Sequence, residues 1–571
     1  MKKLFAILLV AAMILSAFAG CGGISTSSIP NETDSASALA DVTEAEPAVE
    51  PEPTHEEASK PDVEEASAEP VGEAPQASLS YPLVTDGSEQ VTVWVSLPPH
   101  VAPYMEDVSE SAAYRAAAEA TGIKMVTTTV SAAVEAEQFQ LMCAGGTTGD
   151  YDIIVGATRA YGSADAAIED EIVIDLSDYL AEYMPDYYNF LQSDEEVRKL
   201  LTTDSGAIAD IAGRATGGRP QGFGIRKDWL DKSGLDIPTT YDELYNVLTV
   251  FKNDYNCPEP LLMYSTGFLD NDFLCSGFGM TQNGYYVEDG TIKFAYLEDS
   301  FKQYCQLISK WYAEGLLSKD FLNNVQGAGI SYDAQMQDGT AGVFMTGVDI
   351  FSSSSAESAS DPDWEAVPMA DVTVNSGDTI TMGNTPNSDP LSNKWNVTTG
   401  VSEERMANVL GFVNWFFTED GSIACIEGEG FEYDTDGNPK LTELVTNNPE
   451  GMGSFIAEAI YLNWCAPYTL DTRYYDSIYD TEAQASATDI WNSNRNNSQQ
   501  YHGDLTSDEN SAYNAVYSDI DTYIDNMAVS FMTGAADVNA EWDTFVSTIE
   551  SMDIASCIQI KQDAYDRFVN R

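Results

Sequence analysis

Residues 123–155 read IKMVTTTVSAAVEAEQFQLMCAGGTTGDYDIIV. The opening IKMVTTTV is dense in β-branched residues and predicts a strand. A helix through Phe139, Leu141 and Met142 follows and stops at Gly145, and Tyr151–Val155 is a second strand. Upstream, Val91-Thr92-Val93-Trp94-Val95 is another β-rich run, and a helix-like stretch leads from it to Gly122. Strands that alternate with helices in this way need crossover connections. The pattern therefore predicts an α/β fold with a parallel or mixed sheet.

Further along, GFGIRKDWLDKSGLDIP (222–238) precedes TTYDELYNVLTVFKND (239–254). Thr240 and Glu243 have the spacing of a capping box, and Leu244, Val247, Leu248 and Phe251 lie on one helical face. Asp289-Gly290 between YYVE and TIKFAY predicts a hairpin. A helix from about Ser300 to Glu314 buries Phe301, Tyr304, Cys305, Ile308, Trp311 and Tyr312, and Gly315 stops it. AGVFM (341–345) is a short buried strand, and Met406, Val409, Leu410, Val413, Phe416 and Phe417 mark a further amphipathic helix. The last 60 residues read as helical with a break at Gly534, and no internal repeat is visible.

At 571 residues and 43% hydrophobic the chain exceeds what one core organises, so more than one lobe is expected. With 26 basic and 92 acidic residues the net charge is -66, which repels nucleic acid and anionic membrane surfaces. The N-terminus, MKKLFAILLVAAMILSAFAGCGG (1–23), has a basic start, an apolar run and small residues before Cys21. This reads as a secretory signal with a lipobox-like end, in which residues 1–20 would be removed and Cys21 lipidated; the competing reading is an uncleaved N-terminal anchor helix. Residues 21–88, rich in Ser, Ala, Glu, Pro and Thr, are expected to be an acidic disordered tether. Without Cys21, seven scattered cysteines remain and no C-x-x-C pair, so buried free thiols are expected rather than a disulfide framework. His55, His100 and His502 lie near no cysteine cluster, and no metal or cofactor is expected.

The motifs of nucleotide binding, zinc proteolysis and serine hydrolysis are missing, although the two carboxylates of a glycosidase have no fixed spacing to search for. Asp434-x-Asp436-Gly437-Asn438 lacks the full spacing of a calcium loop and reads as a hairpin turn. The chain holds 9 Trp, 30 Tyr and 22 Phe, and aromatic faces beside polar groups suit sugar rings. Those at helical spacing, such as Trp311 and Phe416, belong to the core. Tyr104, Tyr161, Trp395 and Trp464, near strand ends or in loops, are the candidates for ligand contact.

Taken in order, FQLMCAGGTTGDYDIIVG (139–156), IDLSDYLAEYMPDYY (174–188), GIRKDWLDKSGLDIPTTYDELYNVLTVFK (224–252), KWYAEGLLSKDF (310–321), GFEYDTDGNPKLTE (430–443) and QDAYDRF (562–568) resemble the extracellular solute-binding proteins of ABC importers. The resemblance is to the carbohydrate-type family 1, in its LipO-like lipoprotein branch of Gram-positive bacteria. It implies a two-lobed periplasmic-binding-protein-like fold of type II, with discontinuous lobes and a ligand cleft between them. Lobe one would take 88–203 and 373–425, and lobe two 204–372 and 426–571. By the same resemblance the cleft residues would be Ser96 and Tyr104 after the first strand, Thr158, Arg159 and Tyr161 after YDIIV, Arg226 in GIRKDW, and Asp349 after AGVFM. Arg226 has a competing reading as an ion-pair partner of Asp228 or another lobe-two acid. Some larger family members carry a calcium insert after the helix that corresponds to 241–253. NDYNCPEP (253–260) departs from it, so that metal is not expected.

The implied function is capture of a carbohydrate, an oligosaccharide above all, and delivery to a permease that works with a cytoplasmic ATPase. The protein would be a monomer without enzymatic activity, held outside the cell membrane by lipid on Cys21 and without nucleic-acid partners. Two alternatives stand beside it, a surface-tethered carbohydrate-active enzyme and a ligand sensor on the same fold.

Overall fold

The computed structural model describes residues 76–97, 105–213, 221–263, 268, 273–281, 284–319, 321–323, 333–382, 394–427, 431–433, 439–442, 466–468, 479–496 and 498–570. The strands in chain order are β1 (Gln90–Leu97), β2 (Lys124–Ser131), β3 (Ile153–Val155), β4 (Gln221–Arg226), β5 (Glu259–Leu262), β6 (Tyr285–Glu288), β7 (Thr291–Phe294), β8 (Ala341–Gly347), β9 (Ala366–Met369), β10 (Trp395–Val397), β11 (Phe431–Tyr433) and β12 (Pro439–Leu441).

One sheet has the order β10-β3-β1-β2. β1 pairs in parallel with both β2 and β3, and β10 returns antiparallel to β3. β1 is buried on both faces, which is why VTVWV does not alternate with polar residues. Val91, Val93 and Val95 join Tyr114, Ile153, Trp395 and Phe416 in one core. Trp94 faces the other way, 6.4 Å from Phe139 between ring centroids. The threonine run of β2 is an edge strand, and its residues are only partly covered.

The second sheet has the order β5-β8-β4-β9, with β5 parallel to β8 and β4 antiparallel to both β8 and β9. Phe223, Ile225, Val343 and Met345 face a large core with Leu244, Val247, Leu248 and Phe251. Phe344 and Leu262 face a smaller one with Trp491. The capping box forms as expected: the Thr240 side chain accepts from the Glu243 N–H, and the Glu243 side chain accepts from the Thr240 N–H. Thr240→Ala should cost about 1 kcal/mol in urea unfolding, the usual worth of an N-cap.

Asp289 and Gly290 both have positive φ, 49° and 77°, and close the β6–β7 hairpin. β11 and β12 pair antiparallel from Phe431↔Leu441 to Tyr433↔Pro439, and the DTDGN segment (434–438) lies outside the described residues. The C-terminal helices run Ser507–Thr533, Val538–Ser551 and Ile554–Asn570. Gly534 makes the expected break with φ 72°, and Met552–Asp553 make a second.

Four segments pack elsewhere than the sequence boundaries put them. Residues 76–87 are not tether: the Leu83 N–H donates to the Thr121 carbonyl at 2.9 Å, and the Tyr81 hydroxyl donates to the Gly411 carbonyl at 3.1 Å. Their apolar SLSYPLV run supplies the contact, and Gly122 (φ 75°) makes room for it, since a Cβ there would lie 1.8 Å from the Val84 oxygen. Residues 204–213 pack with the first sheet, where Ile211 bridges to Trp395. Residues 373–382 pack with the second, through Thr373 to Thr239 and Ile380 to Asn494. Ala466 and Tyr468 return to the first core. Of the described cysteines, Cys143 is half-buried and Cys257, Cys275, Cys305, Cys425 and Cys557 are buried. Cys21, the signal segment and most of the expected tether lie outside the described residues.

The Lys561 ammonium sits among tyrosines, 4.7 Å from the ring centre of Tyr513, 5.1 Å from Tyr501 and 5.8 Å from Tyr285. Burial brings its pKa down to about 8, against the opposing pull of Asp504. Between that value and the unfolded value of about 10.4, the unfolded chain binds the extra proton, so stability rises with pH. Burial also raises the Cys257, Cys305, Cys425 and Cys557 thiols and the Tyr285, Tyr501 and Tyr513 phenols, and these groups pull stability the other way, the thiols from about pH 8.5 upward and the phenols from about pH 10. Against the loss from the thiols, the share of the stability that Lys561 supplies in urea melts, read as the difference from Lys561→Met, should grow by about 1–2 kcal/mol from pH 7.5 to 9.5.

Candidate functional site

Strand direction marks out one candidate edge. In the first sheet the N-terminal end of β10 is level with the C-terminal end of β3, through Trp395↔Val155. Ile211 is antiparallel to Trp395, so residues 211–213 leave the sheet at that same edge. Two of the crossing segments, 214–220 and 383–393, thus attach where β1 and β3 end. In the second sheet Gln221 pairs with Gly347, so the first crossing segment arrives at the C-terminal end of β8. β9 ends at that edge too, because Phe223 pairs with Met369. Each sheet turns the C-terminal ends of its parallel strands toward the crossing chains, the position at which open α/β sheets hold ligands.

Sequence reasoning placed several residues at this edge. Ser96 lies there, near the end of β1, and is half-buried. Thr158, Arg159 and Tyr161 occupy the short helix Ala157–Tyr161 directly after β3. Asp349 lies in the turn Val348–Phe351 after β8, with its side chain exposed. Tyr104 and Trp464 lie outside the described residues.

Two expectations are corrected. Trp395 lies at the right edge, but its ring is 0% exposed and packs 6.2 Å from Tyr114 and 5.7 Å from Phe416. It is a core residue. Arg226 lies at the wrong edge, because β4 runs antiparallel and its C-terminal end points away from the crossing chains. Its guanidinium is 1% exposed, forks onto Asp228 at 2.8 and 2.9 Å, and stacks 4.1 Å over the Trp229 ring. The ion-pair reading holds for it.

The remaining side chains at the edge differ in availability. Thr158 is buried, and its hydroxyl donates to Asp210 at 2.6 Å. Tyr161 donates to Asp170; partial burial and that bond push its pKa up to about 12, so it stays a neutral donor. Arg159 is 73% exposed and holds Glu135 at 3.3 Å through one nitrogen.

Sequence reasoning missed the group that organises this edge. Asp210 is buried, and its carboxylate accepts from Thr158 Oγ1 and Asn396 Nδ2, both at 2.6 Å. Its second oxygen holds Lys394 Nζ at 3.2 Å, and its carbonyl accepts from the Tyr187 hydroxyl at 3.2 Å. One side chain therefore ties the helix after β3 to the roots of these two crossing segments. Its partners lie 52 and 186 residues away, and no local motif announces such a hub. Among the described residues no group of three metal-ligating side chains occurs.

The profile of the family described as bacterial extracellular solute-binding protein matches residues 102–423. Among curated proteins, the chain is 28% identical over 193 residues to the fructooligosaccharide ABC transporter substrate-binding protein FusA of Streptococcus pneumoniae. That match covers 31% of this chain and 35% of FusA. It is 31% identical over 154 residues to lipoprotein LipO of Bacillus subtilis, covering 25% of this chain and 30% of LipO. The chain thus spans about a third of the length of these curated relatives. Among solved structures, the alginate-binding protein AlgQ2 without calcium ion superposes with a TM-score of 0.68 at 20% identity, covering 86% of this chain and 100% of that one. At that identity the likeness speaks for the fold.

Proposed function

Because the chain belongs to the bacterial extracellular solute-binding protein family, we propose that it captures an oligosaccharide between its lobes and delivers it to an ABC permease. The fold is the two-lobed type II arrangement of binding proteins. The observation that supports the reading is the strand polarity, which turns the C-terminal ends of the parallel strands of both sheets to the same crossing chains. Sugar bound there would touch both lobes. It would favour the closed form through contacts that the open form lacks. Ser96, Arg159 and Tyr161 would serve from the first lobe and Asp349 from the second, with Thr158 as backing and Tyr104 and Trp464 as the aromatic candidates. Hydroxyl, guanidinium and carboxylate groups can together donate to and accept from sugar hydroxyls.

Cys21 would carry a lipid and the acidic stretch after it would be the tether, keeping the trap beside its permease at high effective concentration. Metabolic labelling with a palmitate analogue should mark the native chain and not Cys21→Ala. Labelling of both would remove the anchor.

A thermal-shift panel tests the function. It would include kestose, which FusA binds in a solved structure, with alginate and galacturonate oligomers, human milk oligosaccharides and peptides. One sugar class should raise the melting temperature and be recovered uncleaved. Ligand at 100 times its Kd adds about 2.7 kcal/mol. Cleavage of the stabilising sugar, or stabilisation by peptides alone, would overturn the reading.

A further inference from the structure

The lobes also meet directly. Residues 161–163 and 199–204 of the first lobe lie against 502–510 and 567–568 of the second. The Ser163 hydroxyl donates to the Leu505 carbonyl, and Asn510 Nδ2 donates to the Tyr161 carbonyl at 3.4 Å. Lys199 Nζ stands 4.7 Å over the Phe568 ring, which stacks on His502.

Arg567 is the centre of this contact. Its two terminal nitrogens fork onto Glu509 at 2.8 and 2.6 Å, and one also donates to the Asp504 carbonyl at 3.2 Å. Glu509 is itself held by the capping box of the helix Ser507–Thr533, where it accepts from the Thr506 N–H at 2.9 Å. All of these partners belong to the second lobe. They fix the guanidinium plane and leave Nε to donate across the junction to Asp204 Oδ2 at 2.5 Å. The Asp204 side chain is 8% exposed and that of Arg567 33%, so the bond is shielded on its acceptor side. A freely exposed pair would have to immobilise two side chains for about 0–1 kcal/mol. Here the arginine is already held by its own lobe, and of its bonds the one to Asp204 spans the junction.

We propose that Arg567 is a positioning residue for ligand capture. Through Asp204 it sets the angle between the lobes, and with it the fraction of molecules ready to close on ligand. The C-terminal helix thereby acts as a tie in addition to the crossing chains. The consequence for affinity rests on the sugar-capture reading, whereas the consequence for lobe geometry does not.

The test uses the full chain without ligand. Fluorophores are placed on non-natural residues at exposed Glu119 in the first lobe and exposed Glu314 in the second. Arg567→Gln and Asp204→Asn should each shift or broaden the distribution of interlobe distances. The double variant should go no further than either single one, because both remove one bond. Glu509→Gln, which loosens the arginine only within its own lobe, should have a smaller effect. Asp204→Asn is nearly isosteric and keeps the test valid if an Arg567 variant fails to fold. An unchanged distribution in both single variants, or additive shifts in the double, would overturn the proposal. For sugars that score in the thermal-shift panel, Kd should change by a common factor of about 3–10. Unequal factors would place the effect at one subsite and overturn the positioning role. If no sugar binds, the distance measurement still decides it.

Discussion

Arg226→Ala is expected to lower stability by about 3–5 kcal/mol and to leave sugar affinity within about twofold. The arginine lies at the end of β4 away from the crossing chains, so it has no route to the cleft. Its removal strands the Asp228 carboxylate, which is 6% exposed and holds the arginine through two hydrogen bonds. Lys232 Nζ, at 3.5 Å on the surface side, recovers only part of the loss. The stacking on Trp229 disappears as well. Urea unfolding followed by Trp fluorescence measures the cost. A second variant, Arg226→Met with Asp228→Leu, should recover most of it, because removing both charges also removes the uncompensated one. Near-native stability of Arg226→Ala together with lost sugar binding would return the arginine to the cleft.

Asp210→Ala carries the second large expected effect, about 3 kcal/mol in stability and at least a tenfold loss in affinity. The alanine leaves the Thr158 hydroxyl, the Asn396 amide and the Lys394 ammonium without the acceptor they share. Two of these groups are fully buried, so water cannot take the place of the carboxylate without repacking. The affinity loss has a separate origin. Residues 209–213 lead into the first crossing segment and Lys394 follows the second, so loosening Asp210 frees both at their root. Asp210→Asn keeps one acceptor oxygen and should fall between the two. Calorimetric titration with a sugar from the panel, at a temperature where each variant is folded, separates the effects. Full affinity in folded Asp210→Ala would confine the residue to a role in stability.

How much was legible depended on the range of the interaction. The capping box at Thr240, the hairpin at Asp289-Gly290, the break at Gly534 and the helix that buries Trp311 were readable because each is decided within about ten residues by backbone geometry or one amphipathic period. The parallel pairing of β1, β2 and β3 followed because short helical crossovers allow little else. Arg226 shows where such reading stops. Its neighbours in sequence are those expected of a strand end followed by a helix, and only the antiparallel pairing of β4 with β8 and β9 decides which edge that end occupies. Trp395 shows the same for a side chain. β10 is three residues long, and which face it buries depends on Tyr114 and Phe416, far away in the chain.

From the sequence alone came the α/β class, the need for more than one lobe, the acidic character and the resemblance to binding proteins. These rest on periodicity, composition and ordered motifs, which survive without knowledge of distant contacts. The tertiary structure decided which strand ends share an edge, that 76–87 and 204–213 belong with the first sheet, and that Asp210 and Arg567 hold the roots and the flank of the lobe junction. Those features are pairings between residues tens to hundreds of positions apart. Chain topology, and no local preference, brings them together.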